Sequence, residues 1–120
     1  MKSRIMYIDD DHFMRTFFLS YFEEKFIVLL CESAEQAWVT LEKKPKPNLI
    51  VLDLNLIGQS GSSFLEEIKS KNDYTKIPVI VLSSEEKSSI RIDLLKTGAE
   101  DFIIKPFNPE ELEIKITKIL

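Results

Sequence analysis

The feature that most constrains this fold is an alternation repeated five times. A short apolar run is followed, each time, by a longer stretch in which apolar residues recur at helical spacing. Residues 4–8 (Arg-Ile-Met-Tyr-Ile) read as a strand. Phe13, Met14, Phe17, Phe18, Tyr21 and Phe22 then predict a helix over about 12–24. Residues 26–30 read as a second strand. Ser33-Ala-Glu-Gln36 is a capping box, and Ala37, Trp38 and Leu41 form the buried stripe of the helix that it opens. Pro45 and Pro47 stop that helix, because proline lacks an N–H and clashes with the preceding turn. Residues 49–53 (Leu-Ile-Val-Leu-Asp) are a third strand, and a loop with Gly58 and Gly61 leads to a helix carrying Phe64, Leu65 and Ile68. Residues 78–82 are a fourth strand. Ser84 is the expected cap of the next helix, which ends at Gly98. Residues 101–104 are a fifth strand. Asn108-Pro109-Glu110-Glu111 supplies an N-cap, a proline at the first helical position and a capping-box glutamate. Leu112, Ile116, Ile119 and Leu120 are the buried stripe expected of the last helix.

Five βα units predict an α/β protein, a doubly wound (βα)5 sandwich around a parallel sheet, because right-handed crossovers place helices on both faces. The nearly unbroken apolar runs of the first, third and fourth strands suit parallel strands covered on both faces. The 120 residues fit one domain. With 16 basic and 20 acidic residues and no basic block, direct nucleic-acid binding is not expected, since clustered Lys and Arg are needed to neutralise phosphates. The longest apolar runs, Phe26 to Cys31 and Ile77 to Leu82, are too short to cross a bilayer, and no signal peptide follows the short basic start. These features predict a cytoplasmic protein. The single cysteine, Cys31, reads as a small apolar residue at a strand end.

In doubly wound sheets the ligand site lies beyond the carboxyl ends of the strands. Asp9, Asp10 and Asp11 follow the first strand here, Asp53 ends the third, Ser83 and Ser84 follow the fourth, and Lys105-Pro106 follows the fifth. Asp11 is assigned to the cap of the first helix. Singly, the others have plain readings as turn residues or a solvated lysine; their convergence on one sheet edge is what argues for a site. Like charges about 4 Å apart repel by about 4 kcal/mol at an effective dielectric near 20. A carboxylate nest is therefore stabilised by a hard divalent cation and an ammonium, and oxygen ligands with retained waters suit Mg2+. Such a cation keeps positions open for a phosphoryl group, which a carboxylate nucleophile accepts as an acyl phosphate. Lys105 and a hydroxyl would stabilise charge on the transferred oxygens.

These residues carry a resemblance. "YIDDDHFMR", "LIVLDLNLIGQSG", "PVIVLSS", "GAEDFIIKPF" and the final helix together resemble the receiver domain of two-component response regulators, and the chemotaxis regulators among them, over essentially residues 1–120. The resemblance implies a flavodoxin-like fold, its five-stranded parallel sheet in the order 2-1-3-4-5, and a phosphoacceptor signalling domain rather than an enzyme, one that also takes phosphate from small donors and loses it unaided. It implies Asp53 as the phosphorylated residue, Asp10 as a direct metal ligand, Asp9 as a ligand through water, and the Asn55 backbone carbonyl as a further ligand. Ser83 and Lys105 would bind phosphoryl oxygens, with Lys105–Pro106 in the cis form. Asn55 and Glu85 would tune hydrolysis, in a pairing that resembles short-lived chemotaxis regulators. Ser83 and Phe102 would form a switch acting on the surface of the fourth helix, fifth strand and fifth helix. The implied partners are a histidine kinase or phosphotransfer protein, and a downstream target protein or a covalently linked output domain. Because the sequence stops with the last helix, it either docks to a target by itself or is part of a longer regulator. Ile57 stands where the family commonly has proline, which would leave the loop freer and magnesium binding weaker.

Other readings have specific marks. His12, at the first turn of the first helix beside the acids, would be the mark of a phosphohistidine or metal site. A flavodoxin would want a hydroxyl- and glycine-rich loop after the first strand, where three acids stand instead. A magnesium-dependent aspartyl phosphatase usually carries Asp-x-Asp after its first strand; "DLN" follows the third strand and lacks the second acid. A non-phosphorylated binding module with the same fold is the remaining alternative.

Overall fold

The computed structural model describes residues 1–120. Strands and helices alternate: β1 (Arg4–Ile8), α1 (His12–Phe22), β2 (Ile27–Cys31), α2 (Ala34–Glu42), β3 (Leu49–Asp53), α3 (Gly61–Ser70), β4 (Val79–Ser83), α4 (Ser88–Thr97), β5 (Asp101–Ile104) and α5 (Pro109–Ile119). The strands form one parallel sheet in the order β2-β1-β3-β4-β5. This is the predicted doubly wound arrangement.

The two-residue period of a strand divides the core between the two sheet faces. Met6, Ile8, Ile50, Leu52, Val79 and Val81 pack with residues of α2, α3 and α4, including Leu41, Phe64 and Leu94. Ile5, Tyr7, Leu49, Val51, Ile80 and Leu82 pack on the other face with Phe18 and Phe22 of α1 and with Leu112 and Ile116 of α5. All residues of β3 and β4 are buried, which is why their sequences run apolar instead of alternating. Burying one such side chain is worth about 1.5–3 kcal/mol.

The helix starts follow local chemistry. Asp11 Oδ1 accepts from the Met14 N–H at 3.2 Å, and Ser33 Oγ accepts from the Gln36 N–H at 3.0 Å. The Gln36 side chain bonds the N–H of Glu32, one residue ahead of the cap, at 2.6 Å. Asn108 caps α5 through the N–H groups of both Glu110 and Glu111, and Glu111 makes no return bond.

Several expectations need correction. Ser84 is exposed and caps nothing; α4 begins four residues later, after Lys87, without a side-chain cap. The reason lies in the intervening turn, where Ser83 Oγ takes the Glu85 N–H and Glu85 Oε1 takes the Lys87 N–H. Phe13 points outward, 72% exposed, and Leu120 is exposed rather than part of the α5 stripe. β2 and β4 are each shifted one residue toward the C-terminus relative to the predicted strands, and α1 stops at Phe22. Cys31 is buried, as its strand-end position suggests.

Candidate functional site

Sheet register assembles the site. β3 and β4 pair Asp53 with Leu82, and β4 and β5 pair Ser83 with Ile104, so Asp53, Ser83 and Lys105 all emerge at one edge. β1 delivers Asp9 and Asp10 to the same edge. One carboxylate oxygen each from Asp9, Asp10 and Asp53 lies within 4.8 Å of the others. Asp9 and Asp53 are buried, and Asp10 is half-buried.

Each buried carboxylate has specific partners. Asp53 Oδ1 accepts from Lys105 Nζ at 3.0 Å and from the Asn55 N–H at 3.2 Å. Asp53 Oδ2 accepts no hydrogen bond. Asp9 Oδ1 accepts from the Asp11 N–H at 2.9 Å, and Asp9 Oδ2 accepts from the Tyr7 hydroxyl. Asp9 therefore has both oxygens engaged, whereas Asp10 has none engaged by protein.

Burial, then the neighbouring Asp9 charge, pushes the Asp53 carboxyl above its ordinary value, against the opposing pull of Lys105. Burial and Asp9 hold the Tyr7 phenol well above its usual range, so it stays a hydrogen-bond donor. The donor set is carboxylate oxygen throughout, with one ammonium that balances only part of the charge. That composition suits a hard divalent cation such as Mg2+, with Asp9, Asp10 and Asp53 and the exposed Asn55 as the residues that could hold it.

The remaining predicted residues are placed around this centre. Ser83 is fully buried, with its Oγ turned to the Glu85 N–H at 3.0 Å rather than to Asp53. Glu85 is half-buried at the site's rim. Phe102 is half-buried and sits beside Val81 in register, on the sheet face that carries Ser83. The Lys105–Pro106 bond is cis, as is Lys44–Pro45. His12 is exposed, and its imidazole joins neither the carboxylate group nor any hydrogen bond.

Sequence reasoning missed three supporting residues. Tyr7 passed as one more apolar strand residue, although the two-residue period already placed it on the same face as Asp9. Its ring stacks on Phe18, centroids 4.2 Å apart. Arg15 donates to the Asp9 backbone carbonyl at 2.8 Å, one helical turn after the Asp11 cap. Gln59 fastens the loop after β3, which carries Asn55 and Ile57; Ile57 itself is 81% exposed. No local pattern in "NLIGQSG" announces those long-range bonds.

A five-stranded doubly wound sheet that gathers paired acids, a further aspartate, a hydroxyl and a lysine at its carboxyl edge is an α/β protein of the doubly wound class with an acidic ligand site at that edge. The chain belongs to the response regulator receiver domain family, whose model matches residues 5–117. It is 33% identical over 121 residues to the phosphate regulon transcriptional regulatory protein PhoB of Escherichia coli K12; the match takes in 100% of this chain and 52% of that protein. The chain thus spans about half the length of PhoB. The chemotaxis protein CheY4 of Vibrio cholerae superposes with a TM-score of 0.91 over 100% of both chains, at 21% identity, which shows the fold. The receiver domain of the Francisella response regulator 1452 superposes with a TM-score of 0.89, at 27% identity, over 98% of this chain and 96% of that one.

Proposed function

We propose that Asp53 of this receiver domain accepts a phosphoryl group from the phosphohistidine of a histidine kinase or phosphotransfer protein. The observation that carries this reading is the asymmetry of Asp53: Oδ1 is held by Lys105 and Asn55, while Oδ2 is unbonded beside Asp9 and Asp10. Oδ2 attacks phosphorus in line with the donor nitrogen. An O–P bond forms as the N–P bond breaks, and the imidazole, already protonated on its other ring nitrogen, leaves as the neutral base with the electron pair. Lys105 is already tethered where charge collects on the phosphoryl oxygens, so little reorganisation is needed. Asp10, Asp53 and the Asn55 carbonyl would hold Mg2+, with Asp9 acting through water, and the ion would supply charge neutralisation of the phosphoryl oxygens. Acetyl phosphate, an activated small donor, reacts at the same oxygen.

Ser83 is the switch residue. Turning its Oγ from the Glu85 N–H to a phosphoryl oxygen frees space on the face it shares with Phe102. Phe102 then moves inward and biases the surface of α4, β5 and α5, where Ile92, Leu95, Ile104 and Ile114 are exposed. That surface meets a downstream target protein or a covalently linked output domain. The domain comprises residues 1–120 and works in the cytoplasm. Asn55 and Glu85, flanking Asp53 and Ser83, set the rate at which water removes the phosphoryl group, and the lifetime is short.

Intact-mass measurement after incubation with acetyl phosphate tests the reading. One phosphoryl adduct on the wild type that requires magnesium and is absent from Asp53→Asn supports it. No adduct, or an undiminished adduct on Asp53→Asn, contradicts it.

A further inference from the structure

The loop between β3 and α3 carries the Asn55 carbonyl, and it is anchored at two places. Near β3, the Leu54 N–H donates to the Leu82 carbonyl at 2.9 Å, and the Gly61 N–H closes the loop onto the Leu54 carbonyl at 3.0 Å. Gly61 is required there, since a Cβ would stand 2.6 Å from the Asp53 carbonyl oxygen and from Leu54 Cα. Between these ties the backbone N–H groups of Leu56, Ile57 and Gly58 make no hydrogen bond within the protein. Gly58 takes φ +85°, a conformation that L residues rarely adopt, which turns the chain toward α2.

The second anchor is Gln59. Its N–H donates to Glu35 Oε2 at 3.1 Å, and its Oε1 accepts from Trp38 Nε1 at 3.1 Å. Its Nε2 donates to Ser63 Oγ at 3.2 Å and to Glu67 Oε1 at 2.7 Å. One side chain and its own amide thus bridge α2 and α3 over the loop. The amide orientation is fixed by its partners: reversed, it would set N–H against N–H at Trp38 and oxygen against carboxylate at Glu67. The anchor point is itself held, because the Trp38 ring packs on Phe64, centroids 4.8 Å apart, with Lys71 Nζ 5.5 Å from its centroid.

We propose that Gln59 is a positioning residue for the cation site. By fastening the far end of the loop to Trp38 and Glu67, it fixes the backbone that presents the Asn55 carbonyl, and so sets the affinity for a divalent cation. This inference rests on the metal-site reading above. It extends that reading to residues that touch neither the cation nor the phosphoryl group, and it gives the loop carrying Ile57 a restraint that does not depend on a proline.

Calorimetric titration with MgCl2 of the wild type, Gln59→Leu, Trp38→Phe and the double variant tests it. Loss of a residue that orients a metal ligand typically weakens binding by about tenfold or more. Gln59→Leu is expected to show a loss of about that size and Trp38→Phe a smaller one. The double variant is expected to bind no more weakly than Gln59→Leu alone, because both changes break one device. In metal-free protein the hydrogen-bonded loop amides, those of Asn55 and Gly61, should exchange faster in Gln59→Leu, with those of β1 and β3 unchanged. Equal magnesium affinity in the wild type and Gln59→Leu overturns the inference, as do additive losses in the double variant. If Gln59→Leu does not fold, Trp38→Phe keeps an aromatic ring at that position and removes the Nε1–H, and an affinity equal to wild type overturns the inference. A wild type that binds no magnesium contradicts the metal-site reading itself, and this inference falls with it.

Discussion

Lys105 Nζ stands 3.0 Å from Asp53 Oδ1, and this is the only ion pair made by the three clustered carboxylates. One ammonium faces Asp9, Asp10 and Asp53, so the metal-free pocket is short of positive charge.

Replacing Lys105 by methionine should therefore destabilise the metal-free protein. A buried carboxylate that loses its charged partner costs roughly 1–3 kcal/mol. Urea unfolding in EDTA should show a lower midpoint at an unchanged slope. Saturating magnesium should narrow the gap, since a cation replaces the lost charge. An unchanged midpoint would mean that Lys105 is not needed to hold the acids together.

Asp53→Asn should act in the opposite direction. The Asp53 carboxyl is raised above its ordinary value of 3.8 by burial and by Asp9. The folded state then binds this proton more tightly than the unfolded state. Its contribution is fully favourable below the ordinary value and is lost as pH rises through the raised one. Metal-free Asp53→Asn should be more stable than the wild type at pH 7, by roughly 1 kcal/mol. The gain should shrink as the pH falls through the raised value and be gone below about 4, where Asp53 is protonated in both states. Thermal melts in EDTA across that range read the effect directly.

Tyr7→Phe should separate packing from hydrogen bonding. The stack on Phe18 survives, while the buried Asp9 loses one of two donors. A cost of about 1–3 kcal/mol is expected, measured as a shift in the urea midpoint. The Tyr7 phenol should also remain un-ionised in alkaline absorbance titration until the protein unfolds, given the burial that raises it.

The legible part of this protein was the part written in local patterns. Five apolar runs and their helical intervals marked a doubly wound parallel sheet, the family resemblance supplied its strand order, and the residues at the strand ends marked Asp9, Asp10, Asp53, Ser83 and Lys105 as one group. Asp11 as a cap was readable because capping is a contact three residues long. Ser84 misled for the same reason: its position looked like a cap, but Ser83 and Glu85 take the nearby N–H groups into a turn. Phe13 and Leu120 show that helical spacing names a stripe more reliably than its outermost members. Gln59 was not readable because its partners lie up to 24 residues away and on two helices. Its bonds depend on how α2 and α3 approach one another, which no window of sequence contains.

Phosphoryl lifetime tests the roles given to Asn55 and Glu85. Both flank the pocket, Asn55 exposed and Glu85 half-buried. Substituting either by alanine should change the dephosphorylation rate measurably, by about 2-fold or more on the scale of a lost transition-state contact, followed by decay of the intact-mass adduct. Unchanged decay in both would remove them from the hydrolysis step.

The central claim is that Asp53 forms the acyl phosphate. The most direct measurement treats the wild type with acetyl phosphate and magnesium, reduces with borohydride, and maps the product by peptide mass spectrometry. Borohydride converts an aspartyl phosphate to homoserine and leaves free carboxylates intact. The prediction is homoserine at position 53 alone, formed only when both phosphodonor and magnesium are present. Conversion at Asp9 or Asp10 in its place, or no magnesium-dependent conversion at any aspartate, would contradict it.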